Sequence, residues 1–262
     1  MTNPQTCSAD FGLIGYPLGH SFSKMFFTRL FTEDGSGRVY ENFELPELTS
    51  ESLYNIILMN PDLIGFNVTA PYKQAIIPFL DSVDELASEV GAVNTVKIIR
   101  ADGGRLKALE GYNTDVRGFG ESVASFLGEA RPAALILGTG GASRAVEVAL
   151  HRMRIRTTLV SRSKKGQGII TYDDIDAATL RDNQLIVNAT PLGTFPDTDS
   201  MPPLPYDLLT PANYCFDLVY NPGTTMFMSR ARQQGAKVCN GLDMLFIQAM
   251  ASFEIWTKPL IQ

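Results

Sequence analysis

A run of apolar residues that turns directly into glycines is the feature that most restricts how this chain can fold. Leu135-Ile136-Leu137 is followed by Gly138-Thr139-Gly140-Gly141-Ala142-Ser143-Arg144. Small residues between a buried strand and a helix let backbone amides approach a pyrophosphate, and the helix N-terminus favours its negative charge. A glycine-rich turn without a ligand remains the alternative. Ser143 takes the place of the usual third glycine, so the motif is a variant.

Strand and helix patterns alternate along the chain, which indicates an α/β protein. In the first part we expect strands at 11–14, 39–43 and 63–68, helices at 23–31 and 49–59, and a hairpin of 92–99 with 105–109. In the second part we expect helices at 116–127 and 141–153 and strands at 133–137, 157–160, 184–188, 214–219 and 237–239. A final amphipathic helix is expected at 242–256.

These patterns predict two domains. Residues 1–112 form an α/β domain with its own mixed sheet, and residues 113–239 form a Rossmann-like nucleotide-binding domain. The C-terminal helix, within residues 240–262, is expected to return to the first domain and complete it.

Composition excludes several classes of protein. The formal charge of −6 and the pI near 5.0 argue against a nucleic-acid or anionic membrane surface. Cys7, Cys215 and Cys239 suit reduced thiols of a cytoplasmic protein, and with two histidines and no Cys-x-x-Cys pair we expect no metal site. The N-terminus has no leader pattern, and no apolar run approaches the roughly 18 residues of a membrane span.

The end of the second strand of the nucleotide-binding domain indicates which dinucleotide is preferred. NAD binders usually place an acidic residue there, which bonds the ribose 2′-hydroxyl. This chain has Ser161-Arg162-Ser163-Lys164-Lys165 instead. Hydroxyls and cations suit the dianionic 2′-phosphate of NADP. The alternative is a solvated basic loop.

Lys73 and Asp115 each close a dense polar motif ahead of the glycine loop, Asn67–Lys73 and Gly111–Asp115. A lysine and a carboxylate held together can share a proton, as required when hydride moves between a nicotinamide and an alcohol or ketone. This indicates an oxidoreductase. Alternatively, Lys73 is a solvated lysine in the first turn of a helix, and Asp115 caps the helix that follows it.

The order of these motifs resembles the shikimate dehydrogenase family, which reduces 3-dehydroshikimate with NADPH on the route to aromatic amino acids. The resemblance covers nearly the whole chain. It is carried by Gly15–Ser23, Asn67–Lys73, Gly91–Thr95, Asn113–Asp115, the glycine loop, Asn188–Gly193, Asp217–Pro222 and Asn240–Ala249.

The resemblance implies roles for individual residues. Lys73 and Asp115 would form the catalytic pair, with Lys73 as proton donor to the carbonyl oxygen. The remaining substrate residues would be Thr69, Asn94 and Gln248 on the ring hydroxyls and Ser21, Ser23 and Tyr220 on the carboxylate. Helix capping by Ser21 or Ser23, and a core amide role for Gln248, are the alternatives.

NADP is the expected cofactor, and its expected contacts lie in the glycine loop, after the second strand and in the later motifs. They are Gly138, Gly140, Gly141, Ala142, Ser161, Arg162, Ser163, Thr190, Leu218 and Gly241. The expected partners are small molecules alone, with a monomeric or homodimeric chain.

Several positions depart from the family pattern, and other functions stay open. Lys24–Thr28 and Thr194 differ from it, and Ser161 replaces the usual Asn before Arg162. These departures bear on cofactor affinity and selectivity. The alternatives are a quinate/shikimate dehydrogenase of broader specificity, a catalytically silent shikimate or quinate sensor, and a generic NADP-binding interaction module.

Overall fold

The computed structural model describes residues 9–19, 22–163, 166 and 168–259. The chain forms two compact units, Met1–Thr114 with Ala251–Gln262, and Asp115–Met250. The α/β class, with a mixed sheet in the first unit and a Rossmann-like second unit, is confirmed. The domain limits given above remain a prediction.

The first unit alternates strands and helices before it ends in a hairpin. Its elements are β1 (Phe11–Gly15), α1 (Phe22–Glu33), β2 (Tyr40–Glu44), α2 (Ser50–Met59), β3 (Gly65–Val68), β4 (Ser82–Val83), α3 (Glu85–Val90), β5 (Thr95–Arg100) and β6 (Leu106–Tyr112). A side chain caps α2, because Thr49 and Ser52 form a reciprocal capping box. The turn between β5 and β6 closes where the Ala101 amide donates to the Arg105 carbonyl, 2.8 Å away.

The first sheet has the order β2-β1-β3-β5-β6-β4. β1 is parallel to β2 and β3, whereas β5 is antiparallel to β3 and β6. The carboxyl ends of β1, β3 and β6 therefore reach the same edge of the sheet as the amino end of β5. Polar residues that follow or precede these strand ends are brought together at this edge.

The two faces of the first sheet are covered by different side chains. Leu53 and Ile57 of α2 join Phe66 and Val96 in a mainly aliphatic core. On the other face lies an aromatic cluster, and Phe11 and Trp256 stack in it with ring centroids 4.9 Å apart. Its members are Phe11, Phe27, Phe31, Tyr40, Phe253 and Trp256.

The end of the C-terminal helix belongs to this unit. Trp256 donates from Nε1 to the Val96 carbonyl at 2.9 Å, and its ring occupies the space where a side chain at Gly65 would lie. Lys97 Nζ donates to the carbonyls of Ile255 (2.9 Å) and Lys258 (2.6 Å), and burial lowers the pKa of this lysine. A cation at the negative end of a helix is electrostatically favourable. The return of the helix to the first sheet agrees with expectation.

The second unit contains the parallel sheet. Its elements are α4 (Asp115–Leu127), β7 (Ala134–Leu137), α5 (Gly141–Arg152), β8 (Thr157–Ser161), β9 (Ile169–Thr171), α6 (Ala177–Asp182), β10 (Leu185–Asn188), β11 (Tyr214–Asp217), α7 (Met226–Gln233), β12 (Lys237–Cys239) and α8 (Leu242–Thr257), which ends in the first unit. Every strand pair of this sheet is parallel. The strand order is β12-β11-β10-β7-β8-β9.

This strand order identifies where a ligand can bind in the second unit. Renumbered from β7, it is the 3-2-1-4-5-6 order of dinucleotide-binding folds. The order reverses between β7 and β10, whose residues Leu137 and Asn188 are paired. Ligands of open parallel sheets bind outside the carboxyl ends at such a switch point. The glycine loop follows β7 and the Asn188–Gly193 motif follows β10, so both lie there.

Some elements differ from the sequence prediction. The short elements β4, α3, β9, α6 and α7 were not predicted, because two to eight residues give too little periodicity. The expectation that α8 is amphipathic was wrong: Phe246 and Met250 are 39% and 38% exposed although Ala249 and Trp256 are buried. The two halves of α8 belong to different units, so no single face carries all its apolar residues.

No helix in the described ranges is long and apolar enough to cross a bilayer.

Candidate active site

Thr69 and Asn94 lie at the polar edge of the first sheet. The Thr69 amide donates to the Ile14 carbonyl at 2.9 Å, and the Asn94 carbonyl accepts from the Val68 amide at 2.8 Å. Thr69 also packs on Gly15, where a side chain would collide with its methyl group. Two residues predicted to bind ring hydroxyls are therefore brought to one edge by strand pairing.

Thr114 holds the Asn94 side chain in one orientation. Asn94 Oδ1 accepts from the Thr114 amide at 2.8 Å, and Asn94 Nδ2 donates to Thr114 Oγ1 at 2.9 Å. Asn94 is buried, with 2% of its surface exposed. The amide is thus oriented before any ligand arrives, which favours directional hydrogen bonding.

Ser23 lies in the first turn of α1, after Phe22, and is not the residue preceding the helix. Burial raises the pKa of the Tyr40 hydroxyl, and a hydrogen bond with Ser23 acts in the opposite direction. Tyr40 in turn donates to Asn67 Oδ1 at 2.9 Å. Ser23 is thereby linked to the sheet edge through buried polar groups. Ser21, the other predicted carboxylate ligand of this motif, lies outside the described residues.

The Asn67 amide connects this edge to the C-terminal helix. Asn67 Nδ2 donates to Ser252 Oγ at 2.9 Å, and Ser252 Oγ lies 2.8 Å from Thr95 Oγ1. Ser252 and Thr95 are fully buried. A buried network whose members are paired fixes the side chains that it joins.

Lys73 lies in a turn after β3 and not in a helix, so the alternative of a lysine in a helical first turn does not describe it. Its carbonyl accepts from the Val93 amide at 2.7 Å, which places its backbone beside the residue that precedes Asn94. The side chain is half-buried. Lys73, Thr69 and Asn94 therefore belong to one edge of the first unit.

Asp115 and Gln248 belong to the second unit. Asp115 is the first residue of α4 and is buried, with 4% of its surface exposed. Gly118, three residues later on the same helical face, packs closely against α8, and a methyl group there would lie 3.0 Å from Gln248 Cβ. The absence of a side chain at Gly118 lets α4 and α8 approach, which brings Gln248 to the face of α4 that carries Asp115.

The glycine loop can accommodate the phosphates of a dinucleotide. Gly138 has φ +109°, a conformation that favours glycine, and its amide donates to the Val160 carbonyl at 2.9 Å. Gly140 precedes α5 without a side-chain cap, and methyl groups at Gly140 or Gly141 would meet no atom within 4 Å. Uncapped amides and open space at a helix N-terminus suit an anion. Ala142 follows in the first turn of α5.

Ser161, Arg162 and Ser163 form a turn at the end of β8. Ser161 Oγ donates to the Ser163 carbonyl at 2.8 Å, and Arg162 and Ser163 are exposed. Burial raises the pKa of Tyr172, and the positive charge of Arg162 acts in the opposite direction. An exposed cation beyond the strand next to β7 fits a 2′-phosphate.

Thr190 is held beside the glycine loop by Asn188. Thr190 donates to Asn188 Oδ1 from its amide (3.1 Å) and its hydroxyl (2.6 Å). A methyl group at Gly138 would lie 3.2 Å from Thr190 Cγ2. The two loops that follow β7 and β10 thus meet at the switch point.

Leu218, Tyr220 and Gly241 form a second group in the same unit. Gly241 donates from its amide to the Val219 carbonyl at 3.3 Å, and it lies so close to the Leu218 carbonyl that no side chain would fit. Leu218 and Tyr220 are half-buried, and burial raises the pKa of Tyr220. Two predicted cofactor contacts, Leu218 and Gly241, are therefore adjacent.

A surface cavity of about 480 Å³ lies elsewhere in the second unit. Its lining includes His151, Arg154, Arg156, Thr157 and Asn183. Thr157 begins β8 and Asn183 precedes β10, so the cavity is at the amino ends of the strands and contains none of the predicted site residues. Within the described residues no group of three or more His, Cys, Asp or Glu could hold a metal ion.

Sequence reasoning did not assign roles to several buried polar residues of these clusters. Tyr40, Thr95 and Ser252 lie in the network of the first unit, and Asn188 and Asp217 support the loops of the second. A signal was available for the last two: each is a polar residue that ends an apolar strand.

Comparison with known proteins assigns the chain to a family. Residues 13–96 match the family model "Shikimate dehydrogenase substrate binding domain". A shikimate dehydrogenase (NADP(+)) of Desulforamulus reducens is 35% identical, over 94% of this chain and 89% of the relative. The structure of shikimate 5-dehydrogenase from Thermus thermophilus in complex with NADP(H) and shikimate has a TM-score of 0.80 and 32% identity, covering 97% and 95% of the two chains.

A second solved structure broadens the comparison. Quinate dehydrogenase from Corynebacterium glutamicum in complex with NAD has a TM-score of 0.80 and 27% identity, covering 96% of this chain and 94% of that one. The similarity to all these proteins extends over both units. This chain belongs to the shikimate dehydrogenase family.

Proposed function

We propose that this chain is an NADP-dependent shikimate dehydrogenase, which reversibly reduces 3-dehydroshikimate to shikimate. The observation that supports this best is the glycine loop at the switch point of a 3-2-1-4-5-6 sheet, with Arg162 beyond the neighbouring strand. Relatives named shikimate dehydrogenase (NADP(+)) match the chain over 94% of its length. The product belongs to the biosynthesis of aromatic amino acids.

The second unit would bind NADP through its backbone and a few side chains. Amides at Gly140, Gly141 and Ala142 would hold the pyrophosphate, because α5 begins there without a cap. Arg162, with Ser161 and Ser163 beside it, would hold the 2′-phosphate. Further contacts would come from Gly138, Thr190, Leu218 and Gly241.

Neutral polar side chains would bind the substrate. Ser23, with Ser21 and Tyr220, would hold the carboxylate through neutral hydroxyls, since no arginine lies in the Gly15–Ser23 motif. Thr69, Asn94 and Gln248 would hold the ring hydroxyls. The fixed orientation of the Asn94 amide supports such a directional role.

Lys73 and Asp115 would carry the proton. NADPH, when bound, supplies the hydride to the carbonyl carbon of 3-dehydroshikimate. Lys73 Nζ would donate a proton to the carbonyl oxygen as charge develops on it, so that the ketone becomes an alcohol. In the reverse direction the hydroxyl of shikimate would give its proton back to Lys73 Nζ, with Asp115 as the partner of the lysine.

The experiment that tests this function is the appearance of NADPH absorbance when the protein is mixed with shikimate and NADP. We expect turnover with NADP and a much lower rate with NAD. Tight binding of shikimate without any turnover would contradict the proposal and indicate a silent sensor.

A quinate dehydrogenase is the second candidate, favoured by the similarity to the Corynebacterium glutamicum structure. Against it, the segment after β8 carries Arg162 where an acidic residue would favour NAD. Quinate with NAD as the sole substrate pair distinguishes the two functions. A rate with this pair above that with shikimate and NADP would select the second candidate.

The proposed location of the protein is the cytoplasm. Unpaired cysteines, such as the buried Cys215, suit a reducing cytoplasm. The chain would act on small molecules as a monomer or homodimer. Light scattering of the purified chain distinguishes these two states.

A further inference from the structure

Asp217, at the end of β11, is a fully buried carboxylate that makes three hydrogen bonds within the second unit. Its Oδ1 accepts from Asn188 Nδ2 at 2.9 Å and from the Val219 amide at 3.0 Å. Its Oδ2 accepts from Thr225 Oγ1 at 2.6 Å. The carboxylate itself donates nothing, so it determines which atoms of its neighbours face it.

The first consequence of this geometry is the orientation of Asn188. Because Nδ2 must face the carboxylate, Oδ1 faces Thr190 and accepts from its amide and its hydroxyl. A flipped Asn188 would place its oxygen against Asp217 and its amino group against two donors. Thr190 is thereby held against Gly138 of the glycine loop.

The second consequence concerns the turn after β11. The bond from the Val219 amide to Asp217 sets the direction of the chain that carries Leu218 and Tyr220. The Val219 carbonyl accepts from Gly241, and Gly241 lies against the Leu218 carbonyl. One carboxylate therefore orients both the loop after β10 and the turn after β11.

The charge of Asp217 lowers the stability of the folded state near neutral pH. Burial raises the pKa of its carboxyl to about 6, although the bonds from Thr225, Val219 and Asn188 act in the opposite direction. The folded state thus favours the protonated form relative to the unfolded state. A buried charge that costs stability and lies among binding loops indicates a role in orientation.

We propose that Asp217 is a positioning residue for the cofactor site, which holds Thr190 and the Leu218 turn in the arrangement that binds NADP. It acts through Asn188 and Val219 and does not touch the ligand. The inference rests on the proposed function, because it requires that Thr190 and Leu218 contact NADP.

The test is the variant Asp217→Asn, which keeps the shape and removes the charge. We expect its Kd for NADP to rise about tenfold at pH 8, whereas its melting temperature stays equal to or above that of the wild type. Asp182→Asn, a change at the exposed end of α6 in the same unit, is the matched control and should leave both values unchanged.

A second variant tests the route through Thr190. Thr190→Val should also weaken NADP binding, and the double variant should lose less than the product of the two single effects, because both act through Asn188. An unchanged Kd in Asp217→Asn would overturn the inference, as would a weakened Kd accompanied by a lower melting temperature. Wild-type protein that binds no NADP would overturn the proposed function and this inference with it.

Discussion

At the scale of single residues, Arg162 distinguishes the two dinucleotides. A hydrogen bond to a charged group contributes roughly 1.5–3 kcal/mol. Arg162→Ala should therefore raise the Kd for NADP by about 10- to 100-fold and leave the Kd for NAD nearly unchanged. Fluorescence titration with both cofactors measures this difference. Arg156 precedes the first residue of β8, and Arg156→Ala is the control variant. Equal losses of affinity for NADP and NAD in Arg162→Ala would contradict the role of Arg162 in binding the 2′-phosphate.

Lys73 should contribute mainly in the transition state, where charge develops on the substrate oxygen. Lys73→Ala should lower kcat by on the order of 10² or more while KM for shikimate changes little. Steady-state kinetics measures both constants. Lys107 is an exposed lysine of β6, and Lys107→Ala is the control variant. When Lys73→Ala is combined with Asp115→Ala, the loss of kcat should be much smaller than the product of the two single losses. A near-normal kcat would indicate that Lys73 is a solvated lysine without a catalytic role.

At the scale of elements, the contact between Gly65 of β3 and Trp256 of α8 fixes the end of the C-terminal helix on the first sheet. A methyl group at Gly65 would collide with the indole ring and would also lie 2.6 Å from the Val96 carbonyl, the acceptor of the indole N–H. Overpacking of this kind costs about 1–3 kcal/mol. Gly65→Ala should lower the free energy of unfolding by this amount, measured by urea denaturation. Gly223→Ala, where a methyl group meets no atom within 4 Å, should change it little.

At the scale of the whole molecule, Asp217 should make the free energy of unfolding depend on pH. Its pKa is raised from an ordinary value of 3.8 to about 6, so the folded state holds a proton that the unfolded state releases between these values. The stability that this group contributes is fully present below about pH 4 and is lost as pH rises through about 6. Tyr206 and Cys215 interact electrostatically with Asp217, and burial raises the pKa of both, so neither changes charge in this range.

Comparison with Asp217→Asn isolates this effect. A pKa difference of about two units corresponds to roughly 3 kcal/mol. The free energy of unfolding of the variant, relative to wild type, should therefore rise by up to about 3 kcal/mol between pH 4 and pH 8. Urea denaturation of both proteins across this range measures it. A difference that stays constant with pH would show that Asp217 does not titrate differently in the two states.

The sequence predicted the architecture well wherever a segment carried a strong local signal. The apolar run before Gly138 predicted β7, and the glycines after it predicted the start of α5, because only small residues allow that turn. The strand at 157–160 was predicted from the alternation of strands and helices, and its β-branched residues favour a strand. Three-residue strands such as β9 contain too few residues for any period to be recognised.

For the site, the amino-acid sequence specifies the chemical groups and their order along the chain. It placed Lys73, Asn94 and Arg162 in polar motifs, and the resemblance suggested what they hold. Which atoms these groups direct toward their neighbours depends on the tertiary structure alone. Strand pairing brings Thr69 beside Asn94, and the buried carboxylate of Asp217 determines which atoms of Asn188 face Thr190. These orientations depend on hydrogen bonds between residues distant in the chain, such as Asn67 and Ser252, and no local pattern encodes such pairs.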